Sequence, residues 1–274
     1  MDLQELVRRA LEEDVGTGDV TTLATVPAEC RAKGVLLAKQ DLVASGLDVA
    51  AAVFRQVDAR LVLEPAAREG DRVPRGAGLG RVTGPARGML AGERVALNFV
   101  QRLSGVATLT RRLVDAVAGT GARIRDTRKT TPLLRALEKR AVEAGGGVPH
   151  RAGLDQGLLI KDNHVRLAGS VGEATRRARA AMPDRLLEVE VEALGQIEEA
   201  LAAGAQMLLL DNFTPAAVAE AVRAVGGRVP VEVSGGVTLA TVRAYAEAGA
   251  DFIAIGVLTH SAPAADVSLE IEPA

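Results

Sequence analysis

Apolar runs in the second half of the chain repeatedly end in residues able to do chemistry: IRDTRK (124–129), LLIKDNH (158–164), LEVEVE (187–192), LLLDN (208–212), VEVSGG (231–236) and FIAIG (252–256). Short runs of this kind bounded by polar or glycine residues predict strands, here over 122–126, 157–161, 186–191, 206–210, 229–233 and 251–255. Helical periodicity covers 132–143, 170–181, 194–203, 215–225 and 238–248, with Pro132 suited to a first helical turn. Alternation of strand and helix at this spacing is that of βα units around a parallel sheet. A barrel fits better than an open sheet, because candidate chemistry ends nearly every strand instead of gathering at one switch point.

The first part of the chain reads differently. A short helix is expected over 3–11, a Gly/Thr-rich loop over 13–22, a strand over 31–39 and a helix over 46–57. Brief β segments follow from 59 to 89, with turns at 69–71, 74–76 and 83–85. A long helical pattern over 91–118, broken near Ser104-Gly105, leads from a small α+β domain ending near residue 105 into the barrel. The run 266–271 can return to the first domain as a strand.

Composition narrows the function. The 274 residues are 48% hydrophobic with net charge -2, so a large buried core is available and no polybasic surface points to nucleic acid. No apolar stretch is long enough to span a bilayer, and residues 1–14 carry too many charges for a signal peptide. The lone Cys30 excludes an internal disulfide framework and a cysteine-rich metal site, and the cytoplasm is the expected location. Only five of 33 basic residues are Lys, and Lys129 and Lys161 both sit at strand ends.

Several groups can carry chemistry. Ser234-Gly235-Gly236 and Gly256 follow two late strands, where barrels commonly seat a phosphate; the plain alternative is a tight turn. Arg128 and Lys129 in DTRKTTP (126–132) combine a bidentate clamp with a mobile charge, unless this is simply a solvated loop. Gly145-Gly146-Gly147 before His150-Arg151 reads as a mobile lid ending in an anion-binding pair, or as an ordinary loop. Lys161 can be an anion clamp, a Schiff-base nucleophile or the structural partner of a carboxylate. Glu188, Glu190 and Glu192 share one strand face, so metal, protons or cations must offset their repulsion. Asp211 ends the next strand and with Glu190 can hold Mg²⁺ or stabilise a cationic transition state; pairing with Arg or Lys is the structural alternative.

In order along nearly the whole chain, EDVGTGDVTT (13–22), NFVQRLSGVAT (98–108), TRKTTP (127–132), His150-Arg151, LIKDNHV (159–165), EVEV (188–191), LDNF (210–213), Ser234-Gly235-Gly236 and GVLTH (256–260) resemble the quinolinate phosphoribosyltransferases. Ala152 departs from the larger side chain expected after His150-Arg151. The resemblance implies an incomplete TIM-like α/β barrel (106–265) with an N-terminal open-faced α/β sandwich domain (1–105) that 266–274 completes. It implies a homodimer or homohexamer acting on quinolinate and 5-phosphoribosyl 1-diphosphate with Mg²⁺. By motif match Arg128, His150, Arg151 and Lys161 hold quinolinate, with the partner subunit's Arg102 reaching the same pocket. Lys129 and Lys161 face the diphosphate, Glu190 and Asp211 the ribose and metal, and Ser234, Gly235, Gly256 and His260 the 5-phosphate.

Overall fold

In the computed structural model, which describes residues 2–274, Asp2 caps the first helix, α1 (Leu3–Val15), by accepting from the Glu5 N–H at 2.8 Å. Asp19 caps a second helix, α2 (Val20–Thr25), where a loop was expected; its carboxylate accepts from the Thr22 N–H at 3.0 Å. Then come β1 (Arg31–Ala38), β2 (Leu42–Val43), α3 (Leu47–Val57), β3 (Val62–Pro65), β4 (Arg72–Val73), β5 (Gly78–Pro85) and α4 (Ala86–Ala116).

Residues 83–85, expected as a turn, instead finish β5, with Thr83 opposite both Lys33 and Val62. Gly84 makes this possible: a Cβ there would lie 2.8 Å from the Arg60 carbonyl oxygen. Helix α4 also runs through the expected break at Ser104-Gly105. The Ser104 hydroxyl bonds both the N–H and the carbonyl of Ser45, and Gly105 leaves space for Pro263, whose oxygen would be 2.1 Å from a Cβ. The apparent helix breaker is a packing notch.

The chain divides into two compact units. The first runs to Arg111 and adds Thr131–Gly146 and Ser261–Ala274; the second comprises Arg112–Thr130 and Gly147–His260. Residues Thr131–Gly146 group with the first unit. The reason lies in α5 (Arg135–Ala144), whose Leu137, Ala141 and Val142 are buried and whose buried Glu138 pairs with Arg102 of α4 at 2.7 Å. The helix starts three residues later than its pattern suggested because Leu133 is left-handed, at φ 67°, a conformation no α-helix continues through. Gly145 fits against Thr110 and Ala107, where a Cβ would meet heavy atoms at 2.5 and 2.6 Å, so the start of the glycine run is a close-packed contact and not a free lid.

The second unit holds β6 (Arg123–Arg125), β7 (Leu158–Ile160), α6 (Asp162–Ala168), α7 (Val171–Ala181), β8 (Leu187–Val191), α8 (Gly195–Ala202), β9 (Met207–Asp211), α9 (Pro215–Val225), β10 (Val231–Ser234), α10 (Val242–Glu247), β11 (Phe252–Ala254) and α11 (Val257–His260). In the first unit β12 (Val267–Pro273) pairs antiparallel with β1, giving a sheet of order β12-β1-β5-β3.

The second sheet has the order β6-β11-β10-β9-β8-β7 with every pair parallel. Its edges, β6 and β7, are consecutive in the chain, so this is an incomplete α/β barrel. Alternation sorts its side chains. Val189, Val191, Leu208, Leu210, Val231, Val233 and Ile253 are buried on one face, while Leu159, Glu190, Leu209, Asp211, Glu232, Ser234 and Ala254 line a cavity on the other. Among the described residues no helix is long and apolar enough to cross a membrane.

Candidate active site

The cavity at the strand ends has a volume of about 540 Å³. Cations occupy part of its wall: Arg128 and Lys129 after β6, His150 and Arg151 before β7, and Lys161 directly after β7. Carboxylates occupy another part: Asp162, Glu190, Glu192, Asp211 and Glu232. Register explains how residues distant in sequence meet. Leu209 lies beside both Glu190 and Glu232, and Asp211 lies beside Ser234, which in turn lies beside Ala254.

The like charges on β8 are offset by cations, as their shared face requires. Lys161 Nζ bonds Glu190 Oε2, and the Lys161 side chain as a whole remains 47% exposed. His150 Nε2 lies 3.2 Å from Glu188 and 3.4 Å from Glu232. Arg125 Nη1 reaches Glu232 Oε2 at 2.5 Å, and its guanidinium stacks 4.6 Å from the Phe252 ring centre.

His150 is held from both sides. Its backbone N–H donates to Asp126 Oδ1 at 2.8 Å, and its Nδ1 accepts the Arg151 N–H at 2.7 Å, leaving the Nε2 proton facing the acids. Burial disfavours the imidazolium, but Glu188 and Glu232 outweigh it and raise His150 to about 9. The Nδ1 bond favours the neutral ring; two carboxylates against one amide decide for the charged form. Burial pushes the Glu188 carboxyl up, His150 pulls it back and the charge of Glu232 pushes it further up. Asp211 is likewise raised, first by burial and then by Glu190. Burial, followed by the charge of Arg128, lowers Arg151.

The cavity wall therefore brings together Arg128, Lys129, His150, Arg151, Lys161, Glu190, Asp211 and Ser234 from the sequence-predicted set. Gly256 and His260 stand beside Lys129: a Cβ on Gly256 would be 3.2 Å from the His260 ring and 3.2 Å from Lys129 Cδ. Gly235 is left-handed, at φ 97°, so the tight turn is present whatever it binds. Arg102 belongs to the first unit, where it bonds Glu138 and the Ala262 carbonyl.

Sequence reasoning assigned no role to Glu232, Arg125 or Asp126. Glu232 was within reach of the period-two rule, since it shares a face with Ser234. The link from Arg125 to Glu232 spans 107 positions and has no local signal. Two groups could bind a metal. Ligand atoms of His150, Glu188 and Glu232 lie within 4.8 Å of one another, but Arg125 and His150 already neutralise these acids. Glu190 and Asp211 offer hard oxygen donors at the cavity itself.

Basic groups and acids facing each other at the mouth of a parallel barrel make the pocket of an enzyme that takes charged ligands. Comparison with known proteins narrows the class. Residues 19–104 match the family described as quinolinate phosphoribosyl transferase, N-terminal domain, and 106–270 match its C-terminal domain. The chain is 46% identical over 275 residues to a nicotinate-nucleotide pyrophosphorylase [carboxylating] of Mycobacterium leprae, covering 98% of this chain and 96% of that protein. It is 39% identical over 272 residues to a probable nicotinate-nucleotide pyrophosphorylase [carboxylating] of Bacillus subtilis, covering 99% and 94%. The crystal structure of nicotinate-nucleotide pyrophosphorylase from Ehrlichia chaffeensis superposes with a TM-score of 0.95 at 37% identity, covering 99% of each chain. The chain belongs to the quinolinate phosphoribosyltransferase family.

Proposed function

We propose that this protein joins quinolinate to 5-phosphoribosyl 1-diphosphate, releasing nicotinate mononucleotide, pyrophosphate and CO₂ for NAD synthesis. The observation that carries this reading is one cavity in which Arg128, Lys129, Arg151 and Lys161 face Glu190 and Asp211. Both substrates are polyanions, and a neutral sugar would not call for such a field. Arg128, His150, Arg151 and Lys161 hold the two carboxylates of quinolinate. Ser234, Gly235, Gly256 and His260 receive the 5-phosphate, in keeping with the neighbouring positions of Gly256, His260 and Lys129.

As the C1–diphosphate bond breaks, positive charge grows on the ribose and negative charge on the leaving group. Glu190 and Asp211 stabilise the first, while Lys129 and Lys161 stabilise the second. The pyridine nitrogen bonds to C1, the adjacent carboxylate departs as CO₂ leaving its electron pair on the ring carbon beside the cationic nitrogen, and that carbon takes up a proton from solvent or from the Lys161 ammonium. Carboxylate oxygens fit Mg²⁺, and the crowding of Asp211 by Glu190 is relieved by a cation there. Glu190 and Asp211 would hold Mg²⁺, which would supply positive charge to offset the diphosphate.

This reading includes a homodimer or homohexamer, with the partner subunit's Arg102 completing the quinolinate site, and a cytoplasmic location. The test is a coupled assay for nicotinate mononucleotide and CO₂ with purified protein, both substrates and Mg²⁺. Ligand binding without CO₂ release would replace the enzyme by a metabolite-binding protein. A Schiff-base aldolase using Lys161 is the second reading, favoured by the place of this lysine in the cavity lining. It requires an adduct with a carbonyl substrate that borohydride traps. The ion pair to Glu190 is the pairing with a carboxylate that the sequence left open as a structural role for Lys161.

A further inference from the structure

Asn212 follows the last residue of β9 and adopts φ 58°. Left-handed backbone is strained for a residue that carries a side chain, least so for Asn and Asp. Leu133 is the other non-glycine residue with positive φ among the described residues. Strain of this kind at the rim of a pocket calls for a reason.

The reason is visible in three contacts. In a continuing strand, the side chains of 211 and 212 would point to opposite faces. The left-handed turn swings Asn212 back, and its Nδ2 donates to Asp211 Oδ2 at 2.7 Å. Its backbone N–H donates to the Ser234 carbonyl at 2.9 Å, tying the same residue to β10. Gly235 supplies the space, since a Cβ there would lie 2.1 Å from Asn212 Oδ1 and 2.9 Å from its backbone nitrogen. Any other residue at 235 would displace the amide.

We propose that Asn212 is a positioning residue: its amide, turned back by left-handed backbone and accommodated by Gly235, fixes the orientation of the Asp211 carboxylate toward the reacting sugar carbon. A carboxylate is free to rotate about its Cβ–Cγ bond, and a donor on one oxygen stops that rotation. Asn212 also sets Asp211 in register with the Ser234-Gly235 turn, so the two ends of one phosphorylated sugar meet groups whose spacing a single residue controls. The inference rests on the proposed role of Asp211.

Asn212→Gly removes the amide while relieving the backbone strain, so the fold is kept. Its kcat is expected to fall about tenfold, with KM for both substrates within about twofold and a melting temperature equal to or above wild type. Asn212→Asp tolerates the same backbone but loses the donor, and should lose a similar factor. In a cycle with Asp211→Ala, the double variant should be no slower than Asp211→Ala alone, because Asn212 acts through Asp211. In ligand-free protein, the Asn212 Nδ2 proton facing Asp211 should resonate downfield of its geminal partner and lose that displacement in Asp211→Ala. Wild-type kcat in Asn212→Gly, or losses that add fully in the cycle, would overturn the proposal. Wild-type kcat in Asp211→Ala would instead overturn the role of Asp211 on which it rests.

Discussion

The imidazole Nε2 of His150 lies 3.2 Å from the carboxylate of Glu188 at the cavity wall. This pair, with Glu232 and Arg125, turns what would be a destabilising stack of buried acids into a compensated network. The network sets a pH dependence.

An unfolded chain releases the His150 proton at about pH 6.5, whereas the folded protein holds it to about 9. The folded state thus binds this proton more tightly. The resulting stability is complete below about pH 6.5 and is lost as pH rises through about 9. Urea midpoints of wild type should fall toward those of His150→Gln between pH 7 and pH 10. Parallel curves for the two proteins would remove the ion pair as a source of stability.

Arg128→Ala deletes a guanidinium from the cavity wall. Loss of a charged hydrogen bond in a desolvated site costs about 2 kcal/mol, so the quinolinate KM should rise by roughly thirtyfold. Saturation at wild-type quinolinate concentrations would take Arg128 out of substrate binding.

Combining Glu190→Gln with Asp211→Asn preserves shape while removing both charges proposed to face the sugar cation. Single-turnover rates at saturating Mg²⁺ should drop severely while the circular dichroism spectrum stays that of wild type. An unchanged rate would end this assignment.

Asp211 pays in stability for its position. Its carboxyl is raised by burial and then by Glu190, so the folded state prefers the protonated form, and ionisation near neutral pH works against folding. Asp211→Asn should therefore raise the urea midpoint at pH 7 and give no gain at pH 3, where the wild-type group is protonated. Equal midpoints at pH 7 would contradict this electrostatic reading.

Glu138 is fully buried and receives Arg102 Nε at 3.0 Å, Arg102 Nη2 at 2.7 Å and the Thr131 N–H at 3.0 Å. Glu138→Ala removes the carboxylate that pairs with Arg102 and should destabilise the protein by roughly 3 kcal/mol in denaturant unfolding. A loss below about 1 kcal/mol would mean that Arg102 finds another acceptor.

Much of the barrel was legible because its signals are local. Apolar runs ending in Lys161, Asp211 and Ser234 placed the strand ends to within a residue or so, and period-two alternation put Glu190 and Lys161 on the cavity side. Local signals misled where a distant partner overrode them. Ser104-Gly105 reads as a break but lies within one helix because Ser45 and Pro263 occupy the notch it makes. Gly84 reads as a turn but belongs to a strand packed against Arg60.

Periodicity and residue type along the chain determined which elements form, which face of each strand is polar and which family the motif order resembles, since these depend on neighbours a few positions away. Tertiary structure alone decided which charges meet: Arg125 with Glu232, His150 between two acids, Arg102 with Glu138, and Asn212 in the gap left by Gly235. Electrostatic pairing and close packing act over a few ångströms of space, and positions far apart in the chain come that near only when the sheets have assembled.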